Sequence, residues 1–466
     1  MNQLCMNFKK NIEYFEEQLV VNKNFDLISR VLEIGKKRAK IYFVDGMCKD
    51  ESIQKILEYF MDIKEADMPN HADEFVESFL PTMETELEDD YSKIEKNYFS
   101  GVSCLFVDGF EKCILIDART YPARSVSEPE KDKTMRGSKD GFVETIVFNT
   151  ALVRRRIRSK DLRMEMFCIG ESSKTDVVVS YMDSRVQRDF LEKIKGILEH
   201  IQTDALTMNQ ESLAECIYSK RKLNPFPKFK YTERPDTAAA QILDGGIVIM
   251  LDNSPFAILL PTTAFSIFEE SDDFYFPPIT GTYLRIARAV IVFVSYFLTP
   301  TFLLLTMYPK WIPEGLMFIQ MKDSVNVPVI LQFLILEIVI DGLRLAAVNT
   351  PNMLSTPFSV LAALVLGEFS VNSGWFNSEV MLYMVFVAIA NYTQQSYEFA
   401  YAIKFFRIIL LVLTAFFGVY GYVGGIIILV LTMAFTKTLD GKGYFYPLIP
   451  FDLKALYGKI IRKQNK

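Results

Sequence analysis

At 466 residues the chain is too long for one ordinary core and points to two or three folded units. Half of it is hydrophobic and its net charge is −6, which argues against a nucleic-acid surface built on a basic stripe. The only histidines are His71 and His200, which excludes a histidine-built metal site, and the six cysteines show no CxxC spacing, so free reduced thiols are expected. No cofactor is expected.

The composition is uneven. Residues 286–450 hold 16 charged residues in 165, about half the whole-chain density of 23%. A charged, mixed half therefore precedes an apolar one. The stretch MNQLCMNFKKNIEYFEEQ lacks the apolar core of a signal peptide, so the first half is expected to stay in the cytoplasm.

AKIYFVDGMCKDESIQKILEYFMDI (39–63) predicts a strand running into a helix with an apolar stripe at Ile53, Ile56, Leu57 and Phe60. GVSCLFVDGFEKCILIDA (101–118) predicts a β-hairpin about Asp108-Gly109. The polar segment 122–140 reads as a surface loop or lobe connector. DVVVSYMDSRVQRDFLEKIKGILEHI (176–201) repeats the strand–turn–helix plan, with Val186, Phe190, Ile194, Ile197 and Ile201 on one face. The fold class is therefore α+β, with two small α/β lobes (1–100 and 101–221) ahead of a helical membrane domain (285–450). Residues 222–284 read as a linker carrying a juxtamembrane strand pair, 245–261, turned at Asn253-Ser254-Pro255. The acidic, aromatic 268–278 suits an interfacial segment, and 451–466 is a basic tail.

A membrane crossing takes about 20 apolar residues. Candidates are 286–308, 328–348, 356–374 and 379–395. The run 405–435 is too long for one upright helix and reads as a hairpin folded at Gly418–Gly425. Arg285 and Arg288, then Lys404 and Arg407, then the basic tail are taken as cytoplasmic markers by the positive-inside rule, placing both termini in the cytoplasm.

Within 328–348, Glu337, Asp341 and Arg344 share one helical face. Each charge costs roughly 2.5–3.5 kcal/mol at the centre of a lone membrane helix, so that face must turn from lipid toward protein or water. Three readings stand: an ion pair to Arg344 that locks helices, a pore lining, or an interfacial helix. Ser359, Ala363, Gly367 and Ser370 form a stripe of small residues that either permits close packing or lines a narrow path. Glu368 adjoins it and would contribute one carboxylate per subunit to a cation-selecting ring. ANYTQQSYE (390–398) is a re-entrant element or a helix end. Arg154, Arg155, Arg156 and Arg158 either meet anionic headgroups or pair with acidic neighbours. Phosphate-loop, HExxH and GxSxG motifs are absent, and no enzymatic activity is expected.

GSKDGFVETIVFNTALVRRRIRS (137–159), YTERPD (231–236) and LDNSPFAILLPTT (251–263) resemble signature segments of the GerA family of spore germination proteins. The matching positions are Gly141, Phe142, Glu144, Asn149, Arg154, Arg156, Arg234, Pro235, Asp236 and Pro255. NPFPKFKYTERPD, NTPNMLSTPFSVLAALVLGE and YPLIPFDLKALYGK most resemble the stage V sporulation protein AF branch, with the nutrient-receptor A subunits as the neighbouring alternative. The resemblance implies a multi-pass protein of the spore inner membrane, assembled as a homo-oligomer, a pentamer, that gates monovalent cations. It also implies either a small membrane partner or germinant-receptor B and C subunits. The rival expectation is a non-conducting scaffold or signal transducer.

Overall fold

The computed structural model describes residues 3–19, 24–80, 84–119, 132–218, 224–322, 324–350, 364–394 and 396–461. It divides into two units: one of 1–219 with 229–261, the other of 220–228 with 262–466.

The first unit holds two five-stranded antiparallel sheets of identical plan. In the first, β1 (Leu27–Ile34), β2 (Lys37–Val44), β3 (Thr85–Glu88), β4 (Ser103–Val107) and β5 (Cys113–Ile116) lie in the order β1-β2-β4-β5-β3. In the second, β6 (Leu162–Ile169), β7 (Thr175–Met182), β8 (Lys230–Thr232), β9 (Ile247–Leu251) and β10 (Ala257–Leu260) lie in the order β6-β7-β9-β10-β8. Their helices recur in step. The first lobe has α1 (Phe8–Leu19), α2 (Asp50–Met61), α3 (Ala72–Phe79) and α4 (Tyr91–Tyr98). The second has α5 (Ile146–Arg156), α6 (Arg188–Glu199), α7 (Asn209–Ile217) and α8 (Pro235–Leu243).

Strand alternation explains the layering. Cys104, Phe106, Cys113 and Leu115 face α1 and α4, while Leu105, Val107, Ile114 and Ile116 face α2 and α3. In the second lobe Val178, Val248, Met250 and Leu259 pack on α5 and α8. Even single hydrogen bonds repeat. Asn11, fourth in α1, accepts from Cys5 N (3.0 Å) and donates to Cys5 O (2.6 Å); Asn149, fourth in α5, does the same with Val143 (2.8 and 2.6 Å). Leu4 N donates to Asp89 O as Phe142 N donates to Glu233 O (2.9 and 2.7 Å).

This plan moves two sequence boundaries. The hairpin 101–118 completes the first sheet rather than opening the second lobe, because β4 pairs with β2. Residues 229–261 are not a linker: β9 pairs with β7 and β10 with β8, so the expected strand pair lies inside the second sheet. Of the segment 122–140, residues 122–131 lie outside the described residues. Asp132 and Thr134, by contrast, are buried rather than looped into solvent.

The second unit is helical: α9 (Ala264–Phe268), α10 (Ser271–Tyr275), α11 (Pro278–Met307), α12 (Val329–Asn349), α13 (Ser378–Tyr392), α14 (Tyr397–Phe435) and α15 (Leu453–Ile460). Thr263 and Ser266 form a capping box on α9, and Ser396 caps α14 by accepting from Phe399 N (3.2 Å). One core gathers Phe302, Phe333, Leu336, Val380, Met384 and Leu411; another gathers Phe226, Phe399, Phe406, Leu410 and Tyr444. By length and composition α11 and α14 qualify to cross a membrane, and α13 is apolar but shorter.

The run Tyr397–Phe435 does not continue straight. Gly418 has φ 59° and ψ −132°, a conformation that glycine alone adopts without penalty. Beyond it the chain doubles back. A Cβ at Gly421 would overlap the Leu413 carbonyl, and one at Gly425 would lie 2.5 Å from Leu410 Cδ1. The glycines thus let two helical arms touch along their backbones. At the helical rise the arms measure about 31 Å and about 26 Å.

Candidate functional site

Charge inside an apolar helical body is the feature that needs explaining, and α12 supplies it. Glu337 and Asp341 lie one turn apart on α12 and both reach α14, while Ile338, Leu345 and Val348 of the same helix are exposed. On α14, Lys404 and Arg407 lie three residues apart, and the two pairs interlock. Arg407 donates through Nε (2.9 Å) and Nη2 (2.7 Å) to Glu337 Oε1, and through Nη1 to the Ser295 carbonyl of α11 (3.3 Å). Lys404 Nζ reaches Glu337 Oε2 at 3.2 Å, the Glu337 carbonyl at 3.0 Å and Asp341 Oδ2 at 2.6 Å.

The cluster is neutral, two carboxylates against two cations, and mostly buried: the side chains of Arg407, Glu337 and Lys404 are 0, 4 and 6% exposed, while Asp341 at its edge is 33% exposed. A buried pair with good geometry and further hydrogen bonds offsets much of its desolvation, whereas one partner left alone strongly destabilises. The arrangement therefore stitches α11, α12 and α14 together. It is a brace.

Arg344 is not part of it. Its guanidinium lies 4.8 Å from the Tyr392 ring centroid and 5.5 Å from those of Tyr397 and Tyr401, a cation–π cage across the α13–α14 junction. Glu337 and Asp341 thus pair with Lys404 and Arg407, not with Arg344 as the ion-pair reading had it. Those two residues were read as markers of a basic loop, yet both are buried on a helix. Arg285 and Arg288 are likewise engaged: Arg285 Nε binds Asp273 Oδ2 at 3.0 Å, and Arg288 binds Asp273 and, at 2.7 Å, Glu270. These four residues are therefore not free loop charges. A signal that could have found the brace was present: matched acidic and basic pairs at one-turn spacing in two apolar runs.

A second polar joint escaped sequence reading. Gln332 and Asn377, 1 and 4% exposed, exchange hydrogen bonds of 2.7 and 2.8 Å and fasten the start of α12 to the start of α13. Of the small-residue stripe, Ser359 and Ala363 lie outside the described residues. Gly367 and Glu368 are exposed on a helical turn, Leu364–Phe369, that runs into Ser370–Asn372, and Ser370 is half-buried.

The signature residues of the first unit come together as a lattice. Phe142 and Gly141 are buried beside Glu233. The Glu144 carbonyl accepts from Asn253 N (2.7 Å), and Asn149 Nδ2 reaches the carbonyl of Ser254, which precedes Pro255 (3.5 Å). Arg234, fully buried, forks onto Asp236 (3.0 and 2.6 Å) and donates to Thr134 Oγ1 and the Ser138 carbonyl (both 3.1 Å), while Pro235 opens α8. Arg156 holds Asp140 at 2.6 Å. Burial pushes the Asp140 carboxyl up, but its bonds to Arg156 and Ser138 outweigh this and hold it below the usual aspartate range. Arg154 reaches into the other lobe, pairing with Asp26 at 3.0 Å over the Phe99 ring. Two of the clustered arginines thus serve salt bridges inside the protein.

With this geometry in place, comparison with known proteins is decisive. Residues 13–466 match the model of the Bacillus/Clostridium GerA spore germination protein family. The chain belongs to the GerA family. This GerA-family chain is 35% identical to stage V sporulation protein AF of Bacillus subtilis (strain 168) over 98% of its own length and 92% of that protein's. It is 31% identical to the uncharacterized membrane protein YfkQ of the same organism, over 96% and 86% of the two chains. It also aligns with the crystal structure of the N-terminal domain of the A subunit of the Bacillus megaterium spore germinant receptor GerK3, at 26% identity and a TM-score of 0.43. That alignment covers 56% of this chain and 96% of that one. Its relatives give the chain a germination-related role.

Proposed function

We propose that the chain is a multi-pass subunit of a spore germination complex, a pentameric homo-oligomer that conducts monovalent cations across the spore inner membrane. In this reading α11, α12, α13 and the arms of α14 lie in the bilayer. The α/β unit and the basic tail, with Lys454 and Lys459, face the cytoplasm. A small membrane partner or B- and C-type subunits complete the complex.

The observation that carries the reading is the division of labour among the acidic residues of the apolar helices. Glu337 and Asp341 are committed to the brace, which holds a rigid helical body, while Glu368 is exposed on the segment between α12 and α13. One such carboxylate per subunit, repeated around an axis, favours cations over anions. The neighbouring Gly367 and Ser370 keep that wall narrow.

Reconstitution tests it. Native mass spectrometry of the purified full chain is expected to give a pentamer, and proteoliposomes containing it are expected to take up rubidium. An intact oligomer that leaves liposomes as tight as protein-free ones would instead establish the scaffold alternative.

A further inference from the structure

The two lobes of the first unit repeat one plan, and one surface of that plan differs between them. By the matched bonds of Asn11 with Asn149 and of Leu4 with Phe142, Gln18 near the end of α1 corresponds to Arg156 at the end of α5. Asp90 and Ser92 at the start of α4 correspond to Arg234 and Asp236 at the start of α8. In the second lobe this surface is covered by the chain's own segment 132–140. Arg234 donates to the Asp132 carbonyl (3.4 Å), to Thr134 Oγ1 and to the Ser138 carbonyl (both 3.1 Å). Arg156 donates to Asp140 (2.6 Å) and to Ser138 Oγ (3.1 Å), and Asp132 and Thr134 are buried.

In the first lobe the matching surface carries a cavity of about 330 Å³, lined by Gln18, Asp90, Ser92 and Glu95, with Lys160 of the other lobe. That volume falls within the range of roughly 300–1,000 Å³ typical of binding sites. The chemistry of the wall is inverted. Where the second lobe offers two donating arginines, the first offers Gln18 and the Asp90 carboxylate, and Glu95 adds another carboxylate. Lys160 shows what such a wall accepts: its ammonium donates to Gln18 Oε1 at 3.1 Å and stands 3.8 Å from Glu95. Among the described residues Glu95 has no other ionic partner. Burial pushes its carboxyl up, and Lys160 opposes that only in part. One lysine thus balances two carboxylates.

We infer that this cavity is the docking site of an extended, lysine- or arginine-bearing segment of a partner protein. The segment lies across the end of α1 and the start of α4 as 132–140 lies across α5 and α8, with the sense of the bonds reversed: the partner donates, and Asp90 and Glu95 accept. Charge selects the occupant. An acidic segment would meet two carboxylates where 132–140 meets two arginines, and a charge-assisted bond to a buried carboxylate is among the stronger ones available.

The test uses the full chain in detergent and a fluorescent peptide of sequence 132–140 bearing Asp132→Lys and Asp140→Lys. This probe keeps the length that fits the counterpart surface and reverses its acidic positions. Saturable binding is expected, and the unaltered 132–140 peptide is expected to bind about tenfold more weakly. Glu95→Gln, which keeps the size of the side chain, is expected to weaken the lysine-bearing probe by about tenfold. Asp90→Asn, which keeps the cap on α4, is expected to weaken it as well. Glu51→Gln removes the same charge from an exposed position on α2 and is expected to leave binding unchanged. Hydrogen exchange in α1 and α4 that matches wild type shows that the variants are folded. No binding of the probe, or equal affinity in wild type, Glu95→Gln and Asp90→Asn, would overturn the site. Equal affinity for the unaltered peptide would overturn the charge selection, and free lysine competing as well as the probe would overturn the peptide in favour of a small amine.

Discussion

Arg407 touches all three helices of the brace, through its own backbone on α14, the Ser295 carbonyl on α11 and Glu337 on α12. Arg407→Leu leaves Glu337 with Lys404 alone in a dry site, and a loss of about 3–5 kcal/mol is expected. Removing Glu337 as well, by Glu337→Leu with Arg407→Leu, leaves Lys404 and Asp341 matched and is expected to recover most of that loss. Thermal unfolding in detergent measures both; a double variant as unstable as the single one would refute the pairing. In the α/β unit, Asp140 provides a pH-dependent counterpart. Its carboxyl is held below the unfolded value, near 3.9. The bond to Arg156 therefore stabilises fully above that pH, and the contribution fades as pH falls through the folded value. Arg156→Gln is expected to speed hydrogen exchange in α5 by a constant factor above about pH 5, a factor that shrinks below about pH 4. A factor that does not change across that range would contradict the assignment.

At the scale of elements, the sharp feature is the reversal at Gly418. A straight helix would separate positions 410 and 425 by about 22 Å, whereas the folded hairpin puts a Cβ at 425 within 3.4 Å of Leu410 Cβ. Leu410→Cys with Gly425→Cys should therefore oxidise to an intramolecular disulfide, since bridged Cβ atoms lie about 3.5–4.5 Å apart. Peptide mapping that finds both thiols free would show one continuous helix. This hairpin was foreseen from the length of the run and from reading Lys404, Arg407 and the tail as cytoplasmic, yet Lys404 and Arg407 are buried in the brace, so its fold at Gly418 stands on length and glycine rather than on those charges. The strand–helix units at 39–63 and 176–201 were legible for a similar reason, each carrying its own periodicity. Pairing between distant segments was not. Nothing local tells 103–107 to lie beside 37–44, or Lys404 to seek Asp341, because those choices depend on which faces meet after the chain has folded. Arg344 shows the same limit: a shared helical face with Glu337 and Asp341 suggested an ion pair among them, and aromatic rings on neighbouring helices took the guanidinium instead.

The whole molecule joins a duplicated α/β unit to an apolar helical one. The duplication extends to Asn11 and Asn149, yet Arg154, Arg156 and Arg234 cluster in the second lobe, where the family signature lies. That signature maintains one lobe and its joint to the other through Asp26, and the chemistry proposed for the ion path lies in the other unit. Three acidic residues of the helical unit thus divide between two tasks, bracing for Glu337 and Asp341, and, as proposed, selection for Glu368. The most direct test is the reversal potential of the reconstituted full chain under a potassium chloride gradient, with Glu337, Asp341 and Glu368 neutralised one at a time. The account predicts a cation-selective wild type, a Glu368→Gln variant that assembles but loses several-fold of its cation preference, and Glu337→Gln and Asp341→Asn variants that lose stability before selectivity. Unchanged selectivity in all three variants, with assembly intact, would contradict it.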